Sequence, residues 1–260
     1  MLLPSQNSSA SSCPDRQESL WHKLWAGALD LAFPRHCEGC GGTVDEASGW
    51  QWLCSECRED LPIVEPPCCR TCGYPYYGLV ESSRSCPHCA TLEPLFDEGR
   101  TLLLHRGSGA ELVKCLKYRQ GTHLMSDIRQ LAAQRPWLAE YLRDAVVLPV
   151  PLHPRKERER GFNQSALLAK AFVEGTGQGR VEQLLQRVRD TPTQTRLTRV
   201  ERVRNLKNAF ALKPKTTLAM DLTYIMVDDV FTTGSTLNAC AQALRASGAT
   251  KLKVLTLAHG

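Results

Sequence analysis

No apolar stretch of this chain approaches the roughly 18 residues that span a bilayer. The polar start MLLPSQNSSASS has neither the basic first segment nor the apolar core of a signal peptide. Those two absences predict a chain without a membrane span, placed in the cytoplasm. No G-x-x-x-x-G-K-[ST] loop occurs, so the aspartate pair at 228 and 229 is not the companion of a nucleotide-triphosphate P-loop. GTGQGR, at 175–180, lacks the spacing and the preceding strand of a dinucleotide loop and reads as a turn that ends a helix. Aromatic residues make up only 7% of the chain; Phe162 and Phe210 alone stand near its basic clusters, and Trp50 and Trp52 stand near the first cysteine quartet. Base stacking along single-stranded nucleic acid therefore has little to rest on.

Cysteine, by contrast, is abundant. Eight of the twelve fall in CxxC pairs, which in a reducing compartment point to metal rather than disulfides. Cys37, Cys40, Cys54 and Cys57 recur as Cys69, Cys72, Cys86 and Cys89 at an offset of 32, and so does the glycine after the second cysteine, as Gly41 and Gly73. That is an internal duplication. A CxxC turn aims two thiolates at one point, and two such turns complete a tetrahedral sulfur shell suited to Zn²⁺. One or two structural zinc sites are expected; pairing within each repeat and interleaved pairing leave the same spacing. Each four-thiolate zinc site adds two negative charges, so two of them bring the formal charge of +5 to about +1. Global charge thus argues little about an anionic partner. Cys13, Cys68, Cys115 and Cys240 read as structural or incidental.

Residues 1–17 have the composition of a disordered tail, and 18–94 hold an amphipathic helix (Leu20, Trp21, Leu24, Trp25, Ala28, Leu29) followed by the cysteine repeat. From 95 to 260 the composition changes. Apolar runs (TLLLH, AVVLPVPL, TYIMV, LKVLTLAH) alternate with helical patterns (GAELVKCLKY, NQSALLAKAFVEG, STLNACAQALRASG), which predicts an α/β fold with a parallel sheet and helices on both faces, preceded by a small Cys-rich zinc-ribbon module.

VDDVFTTGST, at 227–236, places Asp228 and Asp229 at the carboxyl end of a buried strand, where open α/β sheets bind ligands. The small residues Thr232, Thr233, Gly234, Ser235 and Thr236 then turn into a helix, a pattern that lets backbone amides converge on one phosphate. Two carboxylates beside a phosphate cradle repel the same anion unless they face another part of the ligand. A sugar 5-phosphate resolves this, with phosphate in the cradle and hydroxyls donating to the aspartates. At the end of another predicted helix, Lys117, Tyr118 and Arg119 place two cations two residues apart, a clamp for a second anion.

YIMVDDVFTTGST resembles the PRPP-binding motif of type I phosphoribosyltransferases. With the Cys-rich N-terminus, LVKCLKYR (112–119), LPVPLHPRKERERGFNQSALLA (from Leu148) and TPTQTRLTRVERVRNLKNAF (191–210), the chain resembles the ComF/GntX family, the amidophosphoribosyltransferase-like proteins linked to DNA uptake in competent bacteria. The resemblance implies a type I phosphoribosyltransferase-like sheet behind a double zinc ribbon. It implies catalytic roles for Asp228 and Asp229 on the ribose, a 5-phosphate on Thr232–Thr236, and pyrophosphate on Lys117, Tyr118 and Arg119. Gln120 stands between Arg119 and Gly121 where the family usually has glycine directly. The expected chemistry is Mg²⁺-dependent transfer of phosphoribosyl from PRPP to an acceptor that the sequence does not name. The alternatives are a non-catalytic PRPP sensor, or a competence factor that contacts single-stranded DNA or a helicase. Two basic segments, one carrying Arg155, Arg158 and Arg160 and the other carrying Arg202, are expected as loops near the pyrophosphate and over the reacting sugar.

Overall fold

The computed structural model describes residues 34–76, 86–189 and 208–260. The expected tail, the helix predicted from Leu20, and Arg202 with most of its basic segment lie outside them. The described residues from 36 onward form one compact unit.

A short helix, α1 (Ser55–Glu59), follows the first half of the first cysteine quartet. The α/β part then runs β1 (Glu98–Leu104), α2 (Gly107–Tyr118), α3 (Met125–Ala133), α4 (Pro136–Leu142), β2 (Val146–Pro149), α5 (Pro154–Arg160), α6 (Gln164–Thr176) and β3 (Arg180–Val181). It continues with β4 (Leu185–Arg187), β5 (Phe210–Leu212), β6 (Thr223–Phe231), α7 (Ser235–Ala246) and β7 (Lys251–His259). Strands in the order β1-β7-β6-β2-β3 make a five-stranded sheet whose pairings are all parallel, and β4 and β5 form a separate antiparallel pair.

The largely apolar runs of β6 and β7 follow from burial on both faces. Alternate residues serve alternate cores: Ile225, Val227, Leu255 and Leu257 pack on one side with Leu112, Leu116, Ile128, Leu168 and Phe172 from α2, α3 and α6. Tyr224, Met226, Leu252 and Val254 pack on the other with Leu237, Ala241 and Leu244 of α7 and Phe210 of β5. α6 ends where sequence places its stop, on Gly177 in the left-handed conformation at φ 65°.

Two elements depart from the sequence expectation. Asp228 and Asp229 lie inside β6, because β7 is long enough to pair Val230 with Ala258 and Phe231 with His259 beyond them. The basic segment at 154–160 is a helix, not a loop: Pro154 opens it, His153 Nδ1 accepts the Arg155 N–H, and Arg155 pairs with Glu159 one turn on at 2.9 Å.

The cysteine repeat divides between the two faces of the sheet. Cys37, Trp50, Leu53, Cys54 and Leu61 join the first core; Cys69, Cys72, Cys86, Cys89 and Phe96 join the second. Full burial of a leucine such as Leu53 contributes about 1.5–3 kcal/mol, so the first repeat stabilises the domain as well as itself. The segment between the repeats passes along the outer edge of β1, where the Val64 N–H donates to Leu102 O and the Leu104 N–H to Pro62 O, both at 2.8 Å. Further along, the Gly99 N–H donates to Arg70 O at 2.7 Å. The free edge of β1 is thereby covered.

Candidate functional site

Each cysteine repeat closes its own cluster. The sulfurs of Cys37, Cys40, Cys54 and Cys57 all lie within 4.8 Å of one another, and so do those of Cys69, Cys72, Cys86 and Cys89. Sulfur separations of 3.8 Å (Cys40 to Cys54), 3.6 Å (Cys69 to Cys89) and 3.7 Å (Cys72 to Cys86) match the roughly 3.8 Å expected for thiolates on a tetrahedral Zn²⁺ with bonds of about 2.3 Å. The duplication reaches the backbone. Gly41 and Gly73 are both left-handed, at φ 77° and 75°, and their N–H groups close the same turn onto Cys37 O and Cys69 O at 2.7 and 2.8 Å. At Gly73 a Cβ would stand 2.6 Å from the Thr101 nitrogen, so the second turn fits against β1 only as glycine. Amides of Gly39 and Cys54 point at Cys37 Sγ from 3.4 and 3.3 Å. Against the opposing effect of burial, such amides bring the Cys37 thiol down to about 7, and a hydrogen bond from Cys72 brings Cys69 down to about 4. Donors aimed at sulfur favour the thiolates that zinc requires.

A cleft of about 560 Å³ opens over β6. Asp228 and Asp229 line it together with Lys117, Tyr118 and Gln120 from the end of α2, Arg160 and Lys156 from α5, Gln164 and Ser165 from α6, Arg187 from β4, and Thr236. Asp228 and Thr236 also line the adjoining hollow enclosed by residues 232–237 at the start of α7. Gly234 caps that helix at φ 71°, where a Cβ would stand 2.7 Å from Phe231 Cζ and 2.8 Å from Leu92 Cδ2. Only glycine makes the turn. The Thr233 and Ser235 hydroxyls are 2.8 Å apart beside it.

The carboxylates are individually held. Asp229 Oδ1 is 3.1 Å from Lys117 Nζ, and its Oδ2 accepts from Gln164 Nε2 at 3.1 Å. Asp228 Oδ1 accepts the Ser165 hydroxyl at 3.0 Å and the Asp229 N–H at 2.9 Å. Burial first, and then the neighbouring Asp229 charge, push Asp228 up to about 7. Arg160 Nη1 in turn donates to Gln164 Oε1 at 2.5 Å, so a chain runs from α5 through α6 to the floor of the cleft.

The expected residues converge unequally. Asp228, Asp229, Thr236, Lys117, Tyr118 and Arg160 line the cleft, and Thr232, Thr233, Gly234 and Ser235 line the hollow beside it. Arg119 turns elsewhere, 3.7 Å from Glu38 and 3.9 Å from Glu111. Arg155 and Arg158 are exposed on α5. Gln164 and Ser165 were not singled out by sequence reasoning, although a signal exists. They fall on the helical phase of Leu168, Ala169 and Phe172, which makes them polar residues on a buried face, 5% and 1% exposed.

Residues 28–90 match the double zinc ribbon domain. Over 230 residues the chain is 30% identical to competence protein F of Haemophilus influenzae, covering 81% of this chain and 98% of that one. Over 221 residues it is 34% identical to the DNA utilization protein YhgH of Salmonella typhimurium, covering 79% and 96%. Among solved structures, glutamine phosphoribosylpyrophosphate amidotransferase from B. subtilis, complexed with ADP and GMP, overlaps 56% of this chain and 30% of its own at 19% identity and a TM-score of 0.36. Among the described residues, no helix is long and apolar enough to cross a membrane.

Proposed function

This chain belongs to the ComF family, with competence protein F and the DNA utilization protein YhgH, and on that footing we propose that its cleft binds PRPP and transfers the phosphoribosyl group to an acceptor in the use of taken-up DNA. One observation carries the reading: Asp228 and Asp229 share a cleft with Lys117 and adjoin a small-residue turn at the start of a 12-residue helix. Amides and hydroxyls of Thr232–Thr236 hold the 5-phosphate at the positive end of α7. Asp228 and Asp229 accept the ribose hydroxyls, and Gln164 and Ser165 fix their orientation. Lys117 faces the diphosphate, with Arg160 and Lys156 adding positive charge to the same wall. As the acceptor bonds to C1, the C1–O pair leaves with the diphosphate, and these cations stabilise the charge it gains. No protein nucleophile is required; positioning does the work.

Among the side chains lining the cleft, the carboxylates of Asp228, Asp229 and Glu159 and the hydroxyls of Tyr118, Ser165 and Thr236 are hard oxygen donors of the kind that suit Mg²⁺. Asp228 and Asp229 would hold it, directly or through water, and bound with the diphosphate it would neutralise charge on the leaving group.

The test is calorimetric titration of zinc-loaded protein with PRPP in Mg²⁺, wild type beside Asp228→Asn/Asp229→Asn. The expected result is binding that the variant loses with its fold intact. Unchanged affinity would overturn the ribose assignment. A second reading, contact with single-stranded DNA, draws on the relatives' names and on Arg158, exposed on α5. It expects a salt-dependent affinity that falls for Arg158→Ala.

A further inference from the structure

A third group of metal-binding side chains lies apart from both cysteine quartets. Glu38, in the turn between two ligands of the first quartet, meets Cys115 from the last turn of α2 and His123 from the short turn that follows. One ligand atom from each lies within 4.8 Å of the others. Both partners approach the same ring nitrogen: His123 Nε2 is 3.0 Å from Glu38 Oε1 and 4.0 Å from Cys115 Sγ. Trp52 packs against the imidazole at a tilt of 59° with centroids 4.4 Å apart and helps hold the ring in place.

Without an ion His123 Nε2 and the Cys115 thiol both turn to the Glu38 carboxylate, so the three groups converge on one point. At 4.0 Å the sulfur contact is at the outer limit even for sulfur. Around a tetrahedral ion with bonds of about 2.0–2.3 Å, a nitrogen stands roughly 3.3 Å from oxygen and roughly 3.6 Å from sulfur. The observed 3.0 and 4.0 Å bracket those values, so shifts of a few tenths of an ångström complete the shell.

We propose that Glu38, Cys115 and His123 form a third metal site, distinct from the two zinc ribbons, which takes a divalent transition ion of zinc-like preference. Thiolate, imidazole and carboxylate together select Zn²⁺ or Co²⁺ over Mg²⁺ or Ca²⁺. Cys115 is fully buried, whereas Glu38 and His123 keep 21% and 29% side-chain exposure, which gives the ion a way in. Three protein ligands leave a fourth position for water or a small anion, the arrangement of an exchangeable site.

The position gives the site a consequence. Cys115 and His123 bracket the segment that places Lys117, Tyr118 and Gln120 in the cleft, so an ion joining its two ends restrains that segment and ties it to the first ribbon through Glu38. The same ion competes for the Glu38 carboxylate that stands 3.7 Å from Arg119, and leaves that guanidinium to Glu111, 3.9 Å away.

The test is metal content after dialysis of the full chain against micromolar Zn²⁺, followed by cobalt spectroscopy. Wild type is expected to hold about three equivalents, and Glu38→Gln and His123→Gln about two, since both quartets remain. Added Co²⁺ should give wild type loaded with only two equivalents of zinc a thiolate-to-cobalt absorption that Cys115→Ser and His123→Gln, loaded in the same way, lack. The glutamine variants alter half-buried side chains and keep their shape, so a failure to fold at Cys115 does not decide the outcome. Equal metal content in wild type and both glutamine variants, or no cobalt–thiolate band in wild type, overturns the proposal.

Discussion

Lys117 Nζ stands 3.1 Å from Asp229 Oδ1, so the cation that the end of α2 brings to the cleft is already engaged by one of the carboxylates that floor it. A bound diphosphate must share this lysine or take it, and a ribose hydroxyl donating to Asp229 compensates for its withdrawal. Lysine and aspartate therefore form one unit, in which binding of one part of the ligand prepares the site for the other.

Lys117→Met is expected to weaken PRPP binding at least tenfold and to cost about 1–3 kcal/mol of stability, because Asp229, only 7% exposed at its side chain, loses its charged partner. Chemical denaturation of Lys117→Met, Asp229→Asn and the double variant closes a cycle. A coupling of about 0.5–3 kcal/mol is expected. Strictly additive effects would show that the pair does not form in solution.

Asp228 sets a pH dependence. Its folded value, pushed up to about 7 by burial and then by Asp229, lies above the ordinary 3.8, so between these values the ligand-free fold holds a proton that the unfolded chain has lost. This contribution to stability is complete at the acid end and is lost as pH rises through about 7. Ribose hydroxyls prefer the ionised form as acceptor, so PRPP affinity should rise through about pH 7 and then level off. Titrations at about pH 6 and about pH 8 check this, and an unchanged pH slope in Asp228→Asn would refute it.

Gln164 joins Arg160 to Asp229 across two helices. Gln164→Leu fills a similar volume but leaves Asp229 Oδ2 without its donor and Arg160 without its acceptor. The expected loss is about 1–3 kcal/mol in stability, together with weaker PRPP binding. Gln164→Glu places a third carboxylate beside Asp228 and Asp229 and should weaken binding further. Calorimetry and thermal unfolding read the two effects separately; a Gln164→Leu variant with wild-type affinity would remove Gln164 from the site.

Much of this arrangement was legible in the residues, and the exceptions have physical causes. The offset of 32 marks a duplicated cysteine quartet but not how its pairs combine; each repeat closes its own cluster because two tight turns within one repeat suffice for the four sulfurs. The apolar runs of β6 and β7 predict a doubly covered sheet, since nothing else tolerates such strands. Periodicity does not say where a strand stops when its neighbour runs on, so the aspartates were expected at the end of β6 rather than within it. A composition change near residue 95 is visible, but not that Trp50 and Leu53 on one side of it and Leu112 and Phe172 on the other share a core. Arg119 reads as a cleft residue from its neighbour Lys117. Its actual partner, Glu38, is brought by a fold 81 residues away in sequence.

The division of the two ribbons between opposite faces of the sheet predicts separable effects of losing each metal. Cys57→Ser removes a ligand from the cluster on the face covered by α2, α3 and α6, and Cys89→Ser removes one on the face covered by α7. Because bound zinc stands in for the small apolar core of each repeat, loss of a ligand should unfold that repeat locally and uncover the core beneath it. Hydrogen exchange is then expected to quicken in α3 and α6 for Cys57→Ser, and in α7 with the Thr232–Thr236 turn for Cys89→Ser. The second route reaches the phosphate cradle directly, since Leu92, three residues beyond Cys89, packs where Gly234 turns. PRPP affinity should therefore fall more for Cys89→Ser than for Cys57→Ser. Equal quickening on both faces in either variant would mean that the ribbons unfold together, and the cradle would then owe nothing particular to the second one.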